Sequence, residues 1–215
     1  MCGLKIIKNG GQGEIVEKKS RFIGTVKSVD NEKDAMLFID EMKKKYWDAK
    51  HNCYAVVIGD NNEFTRCSDD GEPSGTAGRP ILDVLIKEDI HNAVVVVTRY
   101  FGGVLLGTGG LVRAYQSAVK AGLAASEIAV REQGNAFDIV LDYGDLARVQ
   151  NYLNAMNYSI ANISYTDKTV ISVIIPVGDV ENALIKISEM TCARAVCDDK
   201  GACTFLKSDI NQSSV

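Results

Sequence analysis

An α+β chain of two domains is what this sequence predicts, and three observations carry that reading. The second half runs strand, helix, strand, strand, helix, strand, the split β-α-β order of a ferredoxin-like βαββαβ sandwich. The first half alternates β-branched strands with amphipathic helices. Its run Ala93-Val94-Val95-Val96-Val97 is apolar on both faces, as a central strand covered on each side must be. Composition shifts at Arg131-Glu132-Gln133-Gly134, which divides the chain into residues 1–131, residues 132–207 and a flexible polar tail at 208–215.

In chain order, Glu14–Val29 mixes β-branched residues with charges and predicts one or two strands around a turn near Lys18–Arg21. Asp30 is the expected cap of a first helix, whose Ala35, Phe38, Ile39, Met42 and Tyr46 recur at helical spacing. His51–Gly59 reads as a buried strand, Asp60-Asn61-Asn62 as a turn and Glu63–Cys67 as its returning partner. A second helix starts between Gly75 and Pro80, with Ile81, Leu82, Leu85 and Ile86 facing inward. The strand Asn92–Phe101 follows, then a helix over 110–125 that turns Leu111, Tyr115, Ala118, Val119 and Gly122 inward. The small residues Ala118, Ala121, Gly122, Ala124 and Ala125 imply that this helix packs closely.

Beyond the boundary, Phe137–Leu141 is a strand and Asp145 the expected cap of a helix with Leu146, Val149, Leu153 and Met156 on one face. Ile160–Tyr165 and Val170–Val177 form a hairpin about Asp167-Lys168. Asp179 caps a helix carrying Ala183, Leu184 and Ile187, and Cys203–Leu206 closes the sheet.

At 215 residues the chain buries a core without disulfide staples. Its six cysteines form no C-x-x-C pair and have no histidine close to the 192, 197, 203 group, so reduced thiols are expected rather than a zinc site. No apolar run approaches the ~20 residues of a membrane span, and Met1-Cys2-Gly3-Leu4-Lys5 holds no apolar signal core. A cytoplasmic protein without membrane contact is expected. The net charge of −4 is uneven. Residues 1–131 hold 18 Lys+Arg against 17 Asp+Glu (+1), and residues 132–215 hold 6 against 11 (−5). This is not the balance of a strongly basic nucleic-acid binder, although Lys18-Lys19-Ser20-Arg21 and Lys43-Lys44-Lys45 are local basic clusters.

The richest segment runs from Ser68 to Tyr115. Two glycine-rich turns, Gly75–Gly78 and Gly107–Gly110, each feed a predicted helix, and a buried strand between them ends in Thr98-Arg99-Tyr100-Phe101-Gly102-Gly103. A helix N-terminus presents unpaired N–H groups and partial positive charge, and glycine lets a ligand approach them. Two such ends near Arg99 and Arg113 would make an anion-binding site. Turns that only reverse the chain are the plainer alternative. Asp69, Asp70 and Glu72 are turn or cap residues, metal ligands, or partners of Arg99 and Arg113. His51 is two residues from Cys53 with no third orienting group, so a structural or ligand-contacting role fits it better than catalysis. Ser74 and Thr76 suit capping better than nucleophilic attack. Arg99, ending a buried strand, must meet an anion or a carboxylate, and Tyr100 with Phe101 offers stacking surface for bases.

At these residues the sequence closely resembles the YigZ/IMPACT family. SDDGEPSGTAGRPIL and VVVTRYFGGVLLGTGGLVRAY match its signature, while Lys18–Ile23 and His51–Ala55 match two shorter blocks. The resemblance implies a first domain like the second domain of ribosomal protein S-five and a second domain like the fifth domain of elongation factor G. It also implies a role in regulating translation. Eukaryotic IMPACT proteins restrain a starvation-activated kinase by competing for its ribosome-associated activator, partly through an N-terminal domain that this sequence does not contain.

Three readings of function follow. In the first, the protein binds RNA or a ribosome-associated factor. Lys19, Arg21, His51, Arg99, Tyr100 and Arg113 line the surface, with Asp70, Glu72, Ser74, Gly75 and Thr76 on the first turn and Gly107, Gly109 and Gly110 cradling phosphate. In the second, it is an enzyme on a small phosphorylated or nucleotide substrate with Asp70 or Glu72 as base or metal ligand. No complete set of nucleophile, base and orienting residue supports that reading, and no cofactor is expected. In the third, the acidic second domain engages a basic protein.

Overall fold

Eleven strands and five helices make up the computed structural model, which describes residues 3–208. The chain divides into two compact units, Leu4–Val130 and Arg131–Lys207. Among the described residues no helix is long and apolar enough to cross a membrane. The tail expected at 208–215 lies, beyond Ser208, outside the described residues.

The first unit holds β1 (Leu4–Asn9), β2 (Gln12–Glu17), β3 (Ser20–Ser28), α1 (Glu32–Lys45), β4 (His51–Ile58), β5 (Phe64–Ser68), α2 (Gly78–Lys87), β6 (Ile90–His91), β7 (Ala93–Tyr100) and α3 (Thr108–Ala124). Its main sheet has the order β2-β3-β7-β4-β5, antiparallel throughout. Alternation along the strands sends Cys53, Ala55, Val95 and Val97 to the face covered by α2 and α3. The opposite face sends Tyr54, Val56, Val94 and Val96 against Phe38, Ile39 and Met42 of α1. The valine run is therefore central and covered on both sides, as expected.

Helix α3 lies unusually close to β2 and β3. A Cβ added at Gly13 would sit 2.3 Å from the Ala121 carbonyl carbon, and one at Gly24 would sit 2.2 Å from the Ala118 oxygen. Glycine on the strands and small residues on the helix let two backbones meet where side chains would hold them apart.

The second unit contains the rest of β8 (Glu127–Leu141), α4 (Tyr143–Ala155), β9 (Ser159–Tyr165), β10 (Thr169–Pro176), α5 (Val180–Met190) and β11 (Val196–Ser208). Strand order β9-β10-β8-β11 is the ferredoxin-like arrangement, with Val149, Leu153, Ala183 and Ile187 of the helices packed on Ile139, Ile171 and Val173.

Several local expectations need correction. Helix α1 is capped by Asn31, whose side chain accepts from the Asp34 N–H at 2.9 Å, not by Asp30. Helix α4 starts after Asp142, so Asp145 lies in its first turn. There it receives Arg148 at 2.6 Å and Arg194 at 2.8 Å, and chiefly the Arg194 hydrogen bond holds it below the ordinary aspartate range. Ile86 and Met156 face solvent, and Val84 takes the inward place on α2. Strand β1 was not expected, and the compositional shift at Arg131–Gly134, next to which the two units divide, falls within one continuous strand, β8.

Candidate functional site

Strand register gathers the signature blocks at one end of the first sheet. The β2–β3 pairing closes at Glu17↔Ser20, which puts Lys18 and Lys19 in the turn, both with positive φ. Arg21 lies opposite Tyr100 and His51 opposite Arg99. Ser68 lies opposite Tyr54, so residues 69–72 run on past the start of β4 toward that same end.

The acidic loop is consumed by the protein itself. Asp69 Oδ2 accepts from the Gly75 N–H at 2.8 Å, and Asp69 Oδ1 accepts from Ala77 at 2.9 Å and Gly78 at 2.8 Å. The amides of the first glycine turn are thus filled by an internal carboxylate, and Ala77 at the cap position contributes no side chain. Asp70 takes a left-handed φ of 44° and ties Lys43 Nζ (2.9 Å) to the Asn52 N–H (2.7 Å). Ser74 and Gly75 are exposed, whereas buried Thr76 donates to the Pro73 carbonyl at 2.7 Å.

Burial alone would raise the Asp69 carboxyl, but the Gly75, Gly78 and Ala77 amides outweigh it and hold the group below the ordinary aspartate range. A depressed folded-state pKa means that the stabilisation is complete above the unfolded value of about 4 and disappears as pH falls through the folded one. Asp69→Ala is expected to lose about 2 kcal/mol at neutral pH, the upper range for a cap. The difference from the parent protein should close on acidification, which urea unfolding at a series of pH values measures. A difference independent of pH would show that Asp69 stabilises α2 by another means.

Glu72 sits under the loop, 8% exposed, against Arg99 at 6%. Its Oε1 accepts from Arg99 Nη1 at 2.5 Å and from the Tyr115 hydroxyl at 2.9 Å, with His51 Nε2 at 3.9 Å. Arg99 is therefore neutralised in place, its Nε has no hydrogen-bond partner, and its guanidinium lies over the Phe22 and Phe101 rings. It is not a free anion ligand. His51 Nδ1 lies 2.8 Å from the Asp70 carbonyl oxygen. Cys53 donates to the Asp69 carbonyl at 2.9 Å, and burial pushes its thiol up to about 12. A thiol so rarely ionised at neutral pH is a poor nucleophile. Burial raises the Tyr115 hydroxyl as well.

The second glycine turn is different. Gly107 (φ 73°) precedes α3 without any side-chain cap, and Gly107, Thr108 and Gly109 are exposed. Gly110 and Arg113 share a cleft of about 270 Å³ with Lys18, Glu17, Ile15, Leu106, Ala114 and Ser117. Lys19 is exposed beside them in the β2–β3 turn. A Cβ on Gly102 would come 2.0 Å from the Lys19 carbonyl carbon, so the β7–α3 loop presses on that turn. Arg21 is held by Glu14 at 2.7 Å and lies over the Tyr100 ring, whose hydroxyl donates to Asp48 at 2.8 Å.

The fold thus brings Lys19, Arg21, His51, Asp70, Glu72, Arg99 and Tyr100 to one sheet end, but splits them into a buried network and an open surface. Asp69, for which sequence left cap, metal and ion-pair roles open, caps α2, and Tyr115, read only as an inward-facing helix residue, joins the buried network. The signal for Asp69 was a helix start with alanine at the cap and a carboxylate a few residues upstream.

Residues 18–123 match the Impact N-terminal domain, and residues 139–194 match a domain of unknown function designated DUF1949. The IMPACT family member YvyE of Bacillus subtilis is 37% identical over 95% of this chain and 94% of its own length. The IMPACT family member YigZ of Escherichia coli is 33% identical over 81% of this chain and 86% of its own. A solved structure, described only as that of a hypothetical protein, superposes at TM-score 0.58 with 30% identity, covering 92% of this chain and 97% of that one.

Proposed function

The chain belongs to the IMPACT family, and from that premise we propose that it regulates translation by binding RNA of the ribosome or of its associated factors at the open end of the first unit. The observation that carries this is the contrast between two similar turns. The α2 start is filled by Asp69, whereas the α3 start has no side-chain cap and shares its cleft with Lys18 and Arg113, against the one carboxylate Glu17. Backbone amides at a helix start, with cations on both walls, suit a phosphate. Neither Lys18 nor Arg113 forms an ion pair among the described residues.

An enzymatic reading has less support. Asp70 and Glu72, its proposed base or metal ligand, are engaged by Lys43, Asn52, Arg99 and Tyr115.

Phosphate contacts release counterions, so affinity should fall with salt. Fluorescence anisotropy of a labelled RNA should show Lys18→Ala and Arg113→Ala each weakening binding and each reducing the log–log salt slope by about 1. Absence of measurable affinity at low salt, or indifference to the double substitution, sinks the proposal.

A further inference from the structure

The same end of the sheet exposes large apolar side chains beside its cations. Trp47, 82% exposed, lies in the loop between α1 and β4. Phe101 and Leu105, 45% and 82% exposed, lie between β7 and α3. Two contacts pin these loops together: Tyr100 donates to Asp48 at 2.8 Å, and Lys50 Nζ lies 5.9 Å from the Phe101 centroid. Lys18, Lys19, Lys44, Lys45 and Lys50 are exposed around them, and none is ion-paired among the described residues.

An indole left in water forgoes the stabilisation that burial gives it. Here its loop is tied to the one that carries Phe101, and exposed lysines lie in and next to both. That combination matches a strand of nucleic acid whose bases are unstacked: rings meet bases and ammonium groups meet phosphates. A duplex keeps its bases stacked on each other and offers only phosphates and groove edges. An acidic protein segment would meet the lysines but has no need of two flat exposed rings.

We propose that Trp47 and Phe101 form a stacking platform for single-stranded RNA, with Lys50 and the Lys18–Lys19 turn holding the flanking phosphates. This rests on the RNA-binding reading above and names the form of RNA. Buried Arg99, 5.5 Å from the Phe101 centroid, supports the ring from within the protein and is itself fixed by Glu72.

Trp47 is the one tryptophan of the sequence, so its emission reports on the platform alone. The test titrates the full chain with single-stranded oligoadenylate of about ten nucleotides, within the site sizes such surfaces occupy. The same length of duplex RNA serves as comparison. Anisotropy of labelled RNA is followed in parallel. The expected result is quenching of Trp47 by the single strand and not by the duplex. Trp47→Ala and Phe101→Ala should each lower single-strand affinity roughly tenfold, with the salt slope unchanged. Phe101→Tyr should restore it. Trp47→Ala removes an exposed side chain, so loss of fold does not confound that arm.

Binding of the single strand with unmoved Trp47 emission and indifference to both substitutions overturns the platform while the phosphate contact stands. No binding of either RNA at low salt removes both. A change in Trp47 emission on adding RNA-free ribosomal proteins, with none from the oligonucleotide, assigns the surface to a protein partner and overturns it too.

Discussion

Glu72→Ala lowers the stability of the protein by about 3–5 kcal/mol, the expected cost of leaving one member of a buried ion pair without the other. The Arg99 Nε is already without a partner, and the substitution takes the acceptor from Nη1 and from the Tyr115 hydroxyl together. Urea unfolding followed by far-ultraviolet circular dichroism measures the loss. The double replacement Glu72→Leu with Arg99→Met should recover most of it, because apolar side chains of similar size leave no orphaned charge. If Glu72→Ala alone unfolds at the same urea concentration as the parent, Glu72 is not the counter-charge of Arg99.

Gly24→Ala has the second large effect, about 3 kcal/mol of destabilisation, at the upper end for overpacking. The new methyl would meet the Ala118 oxygen at 2.2 Å, and this neighbour is helix backbone that no rotamer change can move aside. The whole of α3 has to lift from β3. Gly144→Ala is the matched control. That glycine, in the first turn of α4, has open space around it, and alanine there should stabilise by up to about 1 kcal/mol through helix propensity. The two substitutions add the same atom, so unfolding midpoints that move in the same direction would refute the close approach of α3.

Much of the architecture was legible because its signals are local. The valine run gave a central strand, Ala118 and Gly122 gave a closely packed α3, and the second half gave the ferredoxin-like order. Caps were misread where neighbouring residues compete: Asp30 and Asn31 both carry a suitable oxygen, and only backbone direction decides which one reaches the Asp34 N–H. The candidate site was harder still. Asp69, Asp70 and Glu72 lie within four positions, yet one caps a helix, one braces β4 and one neutralises Arg99. Sequence reasoning listed capping and pairing among the options, but non-local register decides which acid does what. It also decides that Arg99 faces inward while Lys18 and Arg113 remain outside.

The acids consumed within that loop change what an approaching molecule meets. By isoelectric point, about 5.3, the chain is an anion. In the signature loop, however, Asp69, Asp70 and Glu72 are already spent on backbone amides, Lys43 and Arg99, whereas Lys18 and Lys19 of the β2–β3 turn and Arg113 of α3 stay exposed, with Glu17 among them. A polyanion meeting the first unit at that end would therefore face unpaired lysines, although the chain as a whole carries a net charge of −4.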